Sequence, residues 1–311
     1  MTTVHDLATR LQQYAKVETN ASMADYTSFR AGGCARYLVF PEDEEALTAV
    51  VREVKEAGVP YYVTGNGSNI LVRDGGFPGV IIKIADGFSE IRTEGNRIIA
   101  GAGALLSAIA KEAARQSLSG LEFASGIPGS LGGAVYMNAG AYDGEMKNVL
   151  ETVRLLDPQT GTIREAKAEE LELGYRYSKL YETGEIVLGA VMQLQPGDQE
   201  EIRGKIRDFT ERRTTKQPLS YPSAGSFFKR PEGYFAGKLV QDAGLKGLTV
   251  GGAQVSTLHS GFVINIGGAT ATDIIALMHL VQARVKEQFG VDLEPEVRII
   301  GVEEGESDSL A

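Results

Sequence analysis

Ser226 lies in "YPSAGSFFKRPEG" (221–233), between Gly225 and the pair Phe227–Phe228, with Lys229 and Arg230 just beyond. Such a hydroxyl invites two chemistries. As a nucleophile it needs a base, usually histidine, and a third group to orient that base. The chain offers only His5, His259 and His279. His5 is terminal, His279 falls within a long helical stretch, and only His259 in "STLHSGF" is a candidate base. Ser226 is also outside any G-x-S-x-G elbow, so acyl transfer is the poorer reading. As an acid, a serine hydroxyl is so weak that it serves only a strongly basic acceptor, such as a developing carbanion or enolate. An enolate in turn needs cations or proton donors close by. Arg176, between Tyr175 and Tyr177 in "LGYRYSKL", Lys229 in "FFKR", and Glu294 and Glu296 in "LEPEVRIIG" are of the right types. Pro295 forces the approach to Glu296 into extended backbone. Taken singly, Arg176 reads better as a surface ion pair and Glu296 as a solvated strand start.

Glycine supplies the other candidates. The 38 glycines among 311 residues are clustered and aperiodic, which excludes collagen and simple repeats. "GNGSN", Gly65, Asn66, Gly67, Ser68 and Asn69, lies between two expected strands and has Ile70 where a third fingerprint glycine would stand. It therefore fails the dinucleotide-fold pattern and lacks the Lys-Ser/Thr of a P-loop. What remains is a tight loop whose successive amides can form an anion-binding nest. "SGIPGSLGGAVYMNAGAYDGE" (125–145) is more specific. Small residues from Ser125 to Ala134 leave the backbone bare for a diphosphate or a flat ring, with Ser125 and Ser130 as hydroxyl donors.

These residues need a scaffold. "DEEALTAVVREVKEA" (43–57) carries one apolar stripe at helical spacing, with Asp43 as cap and Gly58 and Pro60 as stop. "PYYVT", "ILV" and "GVIIKI" read as strands around the first glycine loop. "RIIAGAG", "VLETVRLLD" and "EIVLGAVMQLQ" suggest a largely antiparallel sheet, with a helix over 105–118 and a turn at "DPQTG". "DQEEIRGKIRDFTERRTTKQP" (198–218) reads as an amphipathic helix capped by Asp198 and stopped by Pro218. Beyond it come a short helix near 235–243, a strand at "GFVINIG", a long helix over 271–290 ended by Gly290, and a last strand in "EVRIIGV".

Composition narrows the function. Acidic residues outnumber basic ones, 41 to 31, which argues against a nucleic-acid partner. No apolar run reaches membrane-spanning length, so no membrane insertion is expected. The start lacks the apolar core of a secretory signal, so a cytoplasmic protein is expected. Cys34 is the only cysteine, which leaves no internal disulfide or multi-cysteine metal site, and no metal is expected.

One series of segments changes the odds. "YVTGNGSNILV", "SGIPGSLGGAVYMNAGAYDGE", "YRYSKL", "PSAGSFFKRP", "AGKLVQDAGLKG" and "LEPEVRIIG" occur in this order between Tyr26 and Gly301. The series resembles the UDP-N-acetylenolpyruvoylglucosamine reductase family, in its shorter branch. The 49 residues between Arg176 and Ser226 hold no segment like the tyrosine-bearing loop of the longer branch.

The resemblance implies an α+β fold: a two-lobed FAD-binding domain of the vanillyl-alcohol-oxidase type plus a C-terminal α/β substrate-binding domain. The expected divisions are 1–84 and 85–200 for the lobes, 201–303 for the substrate-binding domain, and a mobile acidic tail over 304–311. It implies FAD as cofactor, with Gly65 to Asn69 on its diphosphate and Ser125, Gly126, Ile127, Gly129, Ser130, Gly133 and Ala134 along it. It implies NADPH as hydride donor and a UDP-sugar substrate sharing one cleft. It casts Ser226 as proton donor, Arg176 and Glu296 as stabilisers of the enol, and Tyr175, Lys216 and Lys229 as substrate contacts. The reaction implied is reduction of UDP-N-acetylglucosamine enolpyruvate to UDP-N-acetylmuramate in cell-wall precursor synthesis. Two other readings stay open: an FAD-dependent alcohol oxidase of the same fold class, and a non-catalytic nucleotide-binding module.

Overall fold

The computed structural model describes residues 4–306, with side chains from residue 7 onward, so the last five residues of the expected acidic tail lie outside the described residues. The locally signalled elements form where their caps and stripes placed them. Helix Glu44–Glu56 starts at Asp43, whose side chain accepts the Ala46 amide at 2.8 Å, and buries Leu47, Val50, Val51 and Val54. Helix Ala271–Phe289 begins with a reciprocal Thr270–Asp273 cap and ends at Gly290, whose φ of 70° is the left-handed conformation that glycine adopts without strain.

Two strands, Lys16–Ser22 and Cys34–Phe40, and the helix Val4–Leu11 were not anticipated. The first strand has only Ala21 buried, so its pattern carries no alternation to read. The two strands form a four-stranded sheet with Phe77–Lys83 and Tyr61–Thr64, in the order 16–22, 34–40, 77–83, 61–64. The last two run parallel, Tyr61 opposite Val80 and Thr64 opposite Lys83. Helix Gln199–Lys216 corrects the amphipathic expectation: only Ile202 is buried along it.

Two compact units emerge, each discontinuous in sequence. The first comprises the chain up to Thr19, Tyr37–Asn66 and Val80–Arg213. At its centre is a five-stranded sheet in the order Ile163–Lys167, Leu150–Leu156, Ile186–Gln193, Arg97–Gly101, Ile91–Glu94, antiparallel throughout. Helices Leu106–Arg115 and Leu131–Tyr136 share its core through Leu106, Ile109, Leu131 and Val135. The second helix is a further correction, because it lies inside the glycine-rich stretch read as bare loop. Its residues Leu131, Ala134 and Val135 turn into the core, and that burial outweighs the poor helix propensity of Gly132 and Gly133.

The second unit comprises Asn20–Arg36, Gly67–Gly79 and Thr214 onward. It holds an antiparallel sheet in the order Ser223–Ser226, Phe262–Asn265, Ala253–Val255, Thr249–Val250. A separate parallel pair joins Ile70–Val72 to Arg298–Ile300. Its core is built on Phe29, Leu71, Phe227, Leu277, Val281 and Val285. Asp74 fixes the long helix to this unit by accepting the amides of Ala271 at 2.9 Å and Thr272 at 2.7 Å, and the Thr272 hydroxyl at 2.6 Å. Replacing Asp74 by alanine leaves two first-turn amides without an acceptor and is expected to lower stability by about 1–2 kcal/mol. A shift in the urea midpoint at unchanged slope is the readout.

Candidate functional site

Unit by unit, the structure brings together parts of the constellation. In the second unit Ser226 ends its strand just after Gly225, whose φ is 77°, and a register irregularity separates Ser223 from Ser226. Its side chain is exposed. Phe227 and Phe228 turn inward, at 1% and 5% exposure, and do not cover it. They pack edge-on to each other, and Phe227 also on Phe29. The aromatics therefore anchor the strand and leave the serine at its surface.

Beyond Ser226 the backbone pairs with the segment carrying the two glutamates. The Glu296 amide donates to the Phe227 carbonyl and the Lys229 amide to the Glu294 carbonyl, both at 2.8 Å, with Phe228 opposite Pro295. Residues far apart in sequence thus sit on neighbouring extended segments. Asn69, last residue of the first glycine loop, secures the same segment: its side chain donates to the Glu296 carbonyl at 3.1 Å and its own carbonyl accepts the Arg298 amide at 3.0 Å. The Lys229 ammonium is engaged by the Glu294 carboxylate. Lys216 is exposed. His259 accepts the Gly261 amide on Nδ1 at 3.1 Å, and burial, with a smaller effect from Lys246, holds its pKa below the ordinary histidine value. An imidazole that accepts on Nδ1 carries its proton on Nε2 when neutral. Asn265 is committed to the Phe29 and Arg30 carbonyls and to the Gly267 and Ala269 amides, a structural role.

Arg176 belongs to the first unit. It occupies a left-handed backbone conformation, φ 52°, in a two-residue turn closed by Gly174 and Tyr177. Its guanidinium donates from Nη2 to the Gly140 carbonyl at 3.2 Å and lies over the Tyr175 ring, 5.1 Å from its centroid. Tyr175 is 52% exposed.

The start of the first glycine loop, Gly65 and Asn66, meets the second glycine stretch in the first unit. Asn66 donates from Nδ2 to the Pro128 carbonyl at 2.6 Å. A Cβ on Gly65 would come within 2.0 Å of Ser130 Oγ. Gly129 and Leu131 bond back to Leu106 and Ala104, and Gly132 to Ala102, which pins the stretch against the sheet. Ile127 packs on the core, and Ala134 is buried within it. A Cβ on Gly133 would meet nothing within 4 Å. Of the two expected hydroxyl donors, Ser125 is spent on the Glu122 carbonyl at 2.8 Å. Ser130 Oγ is buried with no partner among the described residues.

Two cations stand at these loops that the sequence did not single out. Lys83 donates to the Gly65 carbonyl at 2.8 Å. Arg213 packs on Gly126, where a Cβ would come within 2.9 Å of its Cδ. Burial lowers the pKa of both, with Asp86 partly offsetting this for Lys83 and Tyr142 for Arg213. Lys83 interrupts the apolar run "GVIIKI", a signal available in the sequence; Arg213, one of several charges on a polar helix, gives none.

An orphaned hydroxyl, glycines without room for a side chain and two desolvated cations fit an anionic cofactor with a diphosphate. The FAD-binding-domain family model matches residues 35–167, and the model for the C-terminal domain of UDP-N-acetylenolpyruvoylglucosamine reductase matches 217–300. The reductase of Alkaliphilus oremlandii is 55% identical over 90% of this chain and 92% of the relative. The chain belongs to the UDP-N-acetylenolpyruvoylglucosamine reductase family. A family member from Clostridium perfringens is 53% identical over 92% of this chain and 93% of its own. The solved structure of the reductase from Thermus caldophilus superposes with a TM-score of 0.80 at 38% identity, covering 92% of this chain and 99% of that one. The expected α+β fold, with an FAD-binding domain and a C-terminal domain of this reductase family, is thereby borne out. Among the described residues no helix is long and apolar enough to cross a membrane.

Proposed function

We propose that the chain is an FAD-dependent reductase that uses NADPH to convert UDP-N-acetylglucosamine enolpyruvate into UDP-N-acetylmuramate. Membership of the family supports this, and the observation that carries the chemistry is the pairing of the strand end bearing Ser226 with the segment bearing Glu296. Residues Gly65 to Asn69, the Ser125 to Ala134 stretch, Lys83 and Arg213 would hold the cofactor. When bound there, FAD would supply the hydride that the reduction of the enolpyruvyl group needs, with NADPH as its source. Charge then builds on the carbon next to the carboxylate and spreads into that group. Arg176 meets that charge with a guanidinium fixed by the Gly140 carbonyl. Glu296, held at its backbone by Phe227 and Asn69, polarises the enol. Ser226 keeps its proton on Oγ until the carbon becomes basic enough to take it, and the lactyl ether results. Tyr175, Lys216 and Lys229 are assigned to the sugar nucleotide.

NADPH and the sugar nucleotide are placed in one cleft, used in turn, and the enzyme in the cytoplasm. We also propose that 1–84 and 85–200 form the two lobes around FAD and 201–303 the substrate-binding domain. The purified protein tests the function directly. It should be yellow, bleach on anaerobic addition of NADPH, and regain colour on addition of the enolpyruvyl sugar nucleotide. An enzyme that is bleached by an alcohol substrate, is rapidly recoloured by oxygen and ignores the sugar nucleotide is an oxidase. A colourless protein that takes up no FAD is a binding module.

A further inference from the structure

Asn138 is fully buried and stands in a left-handed backbone conformation, φ 46°, just after helix Leu131–Tyr136. None of the roles above uses it. Its side chain nevertheless joins three segments. Nδ2 donates to the Gly174 carbonyl at 2.9 Å and to Glu145 Oε2 at 3.0 Å, and Oδ1 accepts the Lys147 amide at 2.9 Å. Gly174 is the first residue of the turn that carries Arg176. Glu145 is the strand partner of Gly140, whose carbonyl receives the Arg176 guanidinium. One amide therefore holds both ends of the arginine's support: the turn that launches the side chain and the strand pair that receives its tip.

We infer that Asn138 is a positioning residue for Arg176. The inference rests on the role proposed for that arginine. The physical argument is one of geometry. A left-handed arginine in a two-residue turn is conformationally strained and keeps its place only where neighbours over-determine it. Three groups converge on the buried amide: the Gly174 carbonyl, the Glu145 carboxylate and the Lys147 amide. An acid side chain of the same size could accept from Lys147 but could donate to neither Gly174 nor Glu145. A displacement of about 1 Å at a charge-stabilising group can lower a rate by about 10²-fold.

The test compares Asn138→Gly, Arg176→Ala and the double variant in both half-reactions. Glycine keeps the left-handed backbone and removes the amide. Asn138→Gly should retain flavin and bleach with NADPH within about twofold of wild type. Reoxidation of the bleached enzyme by the sugar nucleotide should slow by about 30–100-fold, in kcat and not in KM. Added to Arg176→Ala, the same change should slow reoxidation by less than about threefold, because the group it positions is already gone. Equal factors in both backgrounds, or a wild-type rate for Asn138→Gly beside a slow Arg176→Ala, overturn the positioning role alone. A wild-type rate for Arg176→Ala overturns the reading of the arginine, and this inference with it. Should Asn138→Gly lose flavin, the pair Asn138→Asp with Glu145→Gln takes its place. It restores the contact to the strand pair but offers no donor to Gly174, so the same slow reoxidation is expected, and a wild-type rate overturns the proposal.

Discussion

Ser226→Ala is expected to reduce the rate of sugar-nucleotide reduction by about 10²–10⁴-fold, the usual loss on removing a general acid. Reduction of the flavin by NADPH should stay near the wild-type rate, since no proton from Ser226 is needed for it. Stopped-flow bleaching and recolouring separate the two half-reactions. The variant should fold normally: the side chain is exposed, and the neighbours that anchor the strand, Phe227 and Phe228, are untouched. Ser226→Cys should keep more activity than alanine because a thiol still donates. Both half-reactions falling together in Ser226→Ala would show that the residue serves binding or folding, not protonation of carbon.

The second large effect belongs to Gly67. Its φ is 67°, and a Cβ there would come within 2.1 Å of the Tyr26 carbonyl oxygen. Gly67→Ala therefore combines left-handed strain of about 1–2 kcal/mol with a contact that only movement of the backbone can relieve. The moving segment is the loop assigned to the FAD diphosphate, so FAD affinity should fall by at least about 100-fold, equivalent to about 2.8 kcal/mol. Gly58 supplies the control. It has nearly the same φ, 68°, and a Cβ there would meet nothing within 4 Å. Gly58→Ala should lose about 1 kcal/mol of stability and keep its flavin. The flavin-to-protein ratio after gel filtration, followed by titration with FAD, is the measurement. A Gly67→Ala protein that binds FAD within threefold of wild type would remove this loop from the cofactor site.

What the sequence disclosed was what local physics writes into it. Asp43 and Gly58 bracket one helix and Gly290 ends another, and the structure uses all three as read. The glycine stretches disclosed bare backbone but not its shape. Leu131 and Val135 make helix out of a segment whose composition argues against it, and only the core they enter decides that. The chemistry was legible by type and by resemblance, whereas the bond pattern from Phe227 to Glu296 was not. Pairing between segments this far apart leaves no periodic trace in either. Asn138 was invisible for a similar reason: its partners, Gly174, Glu145 and Lys147, are set by where three loops converge. The inward turn of the two phenylalanines was not legible either, because an aromatic beside a reactive group looks the same in sequence whether it shields the group or anchors its strand.

The interleaving of the two units has a consequence for biosynthesis. Leu71 leaves the ribosome long before Ile299, the residue it pairs with, and Asp74 long before the helix it caps. A nascent chain that has finished the first unit carries Phe29 and Leu71 with none of the C-terminal side chains that bury them. Translation must run on from Thr214 to Val297 before those early segments acquire their full shelter. During that interval they are natural ligands for a chaperone.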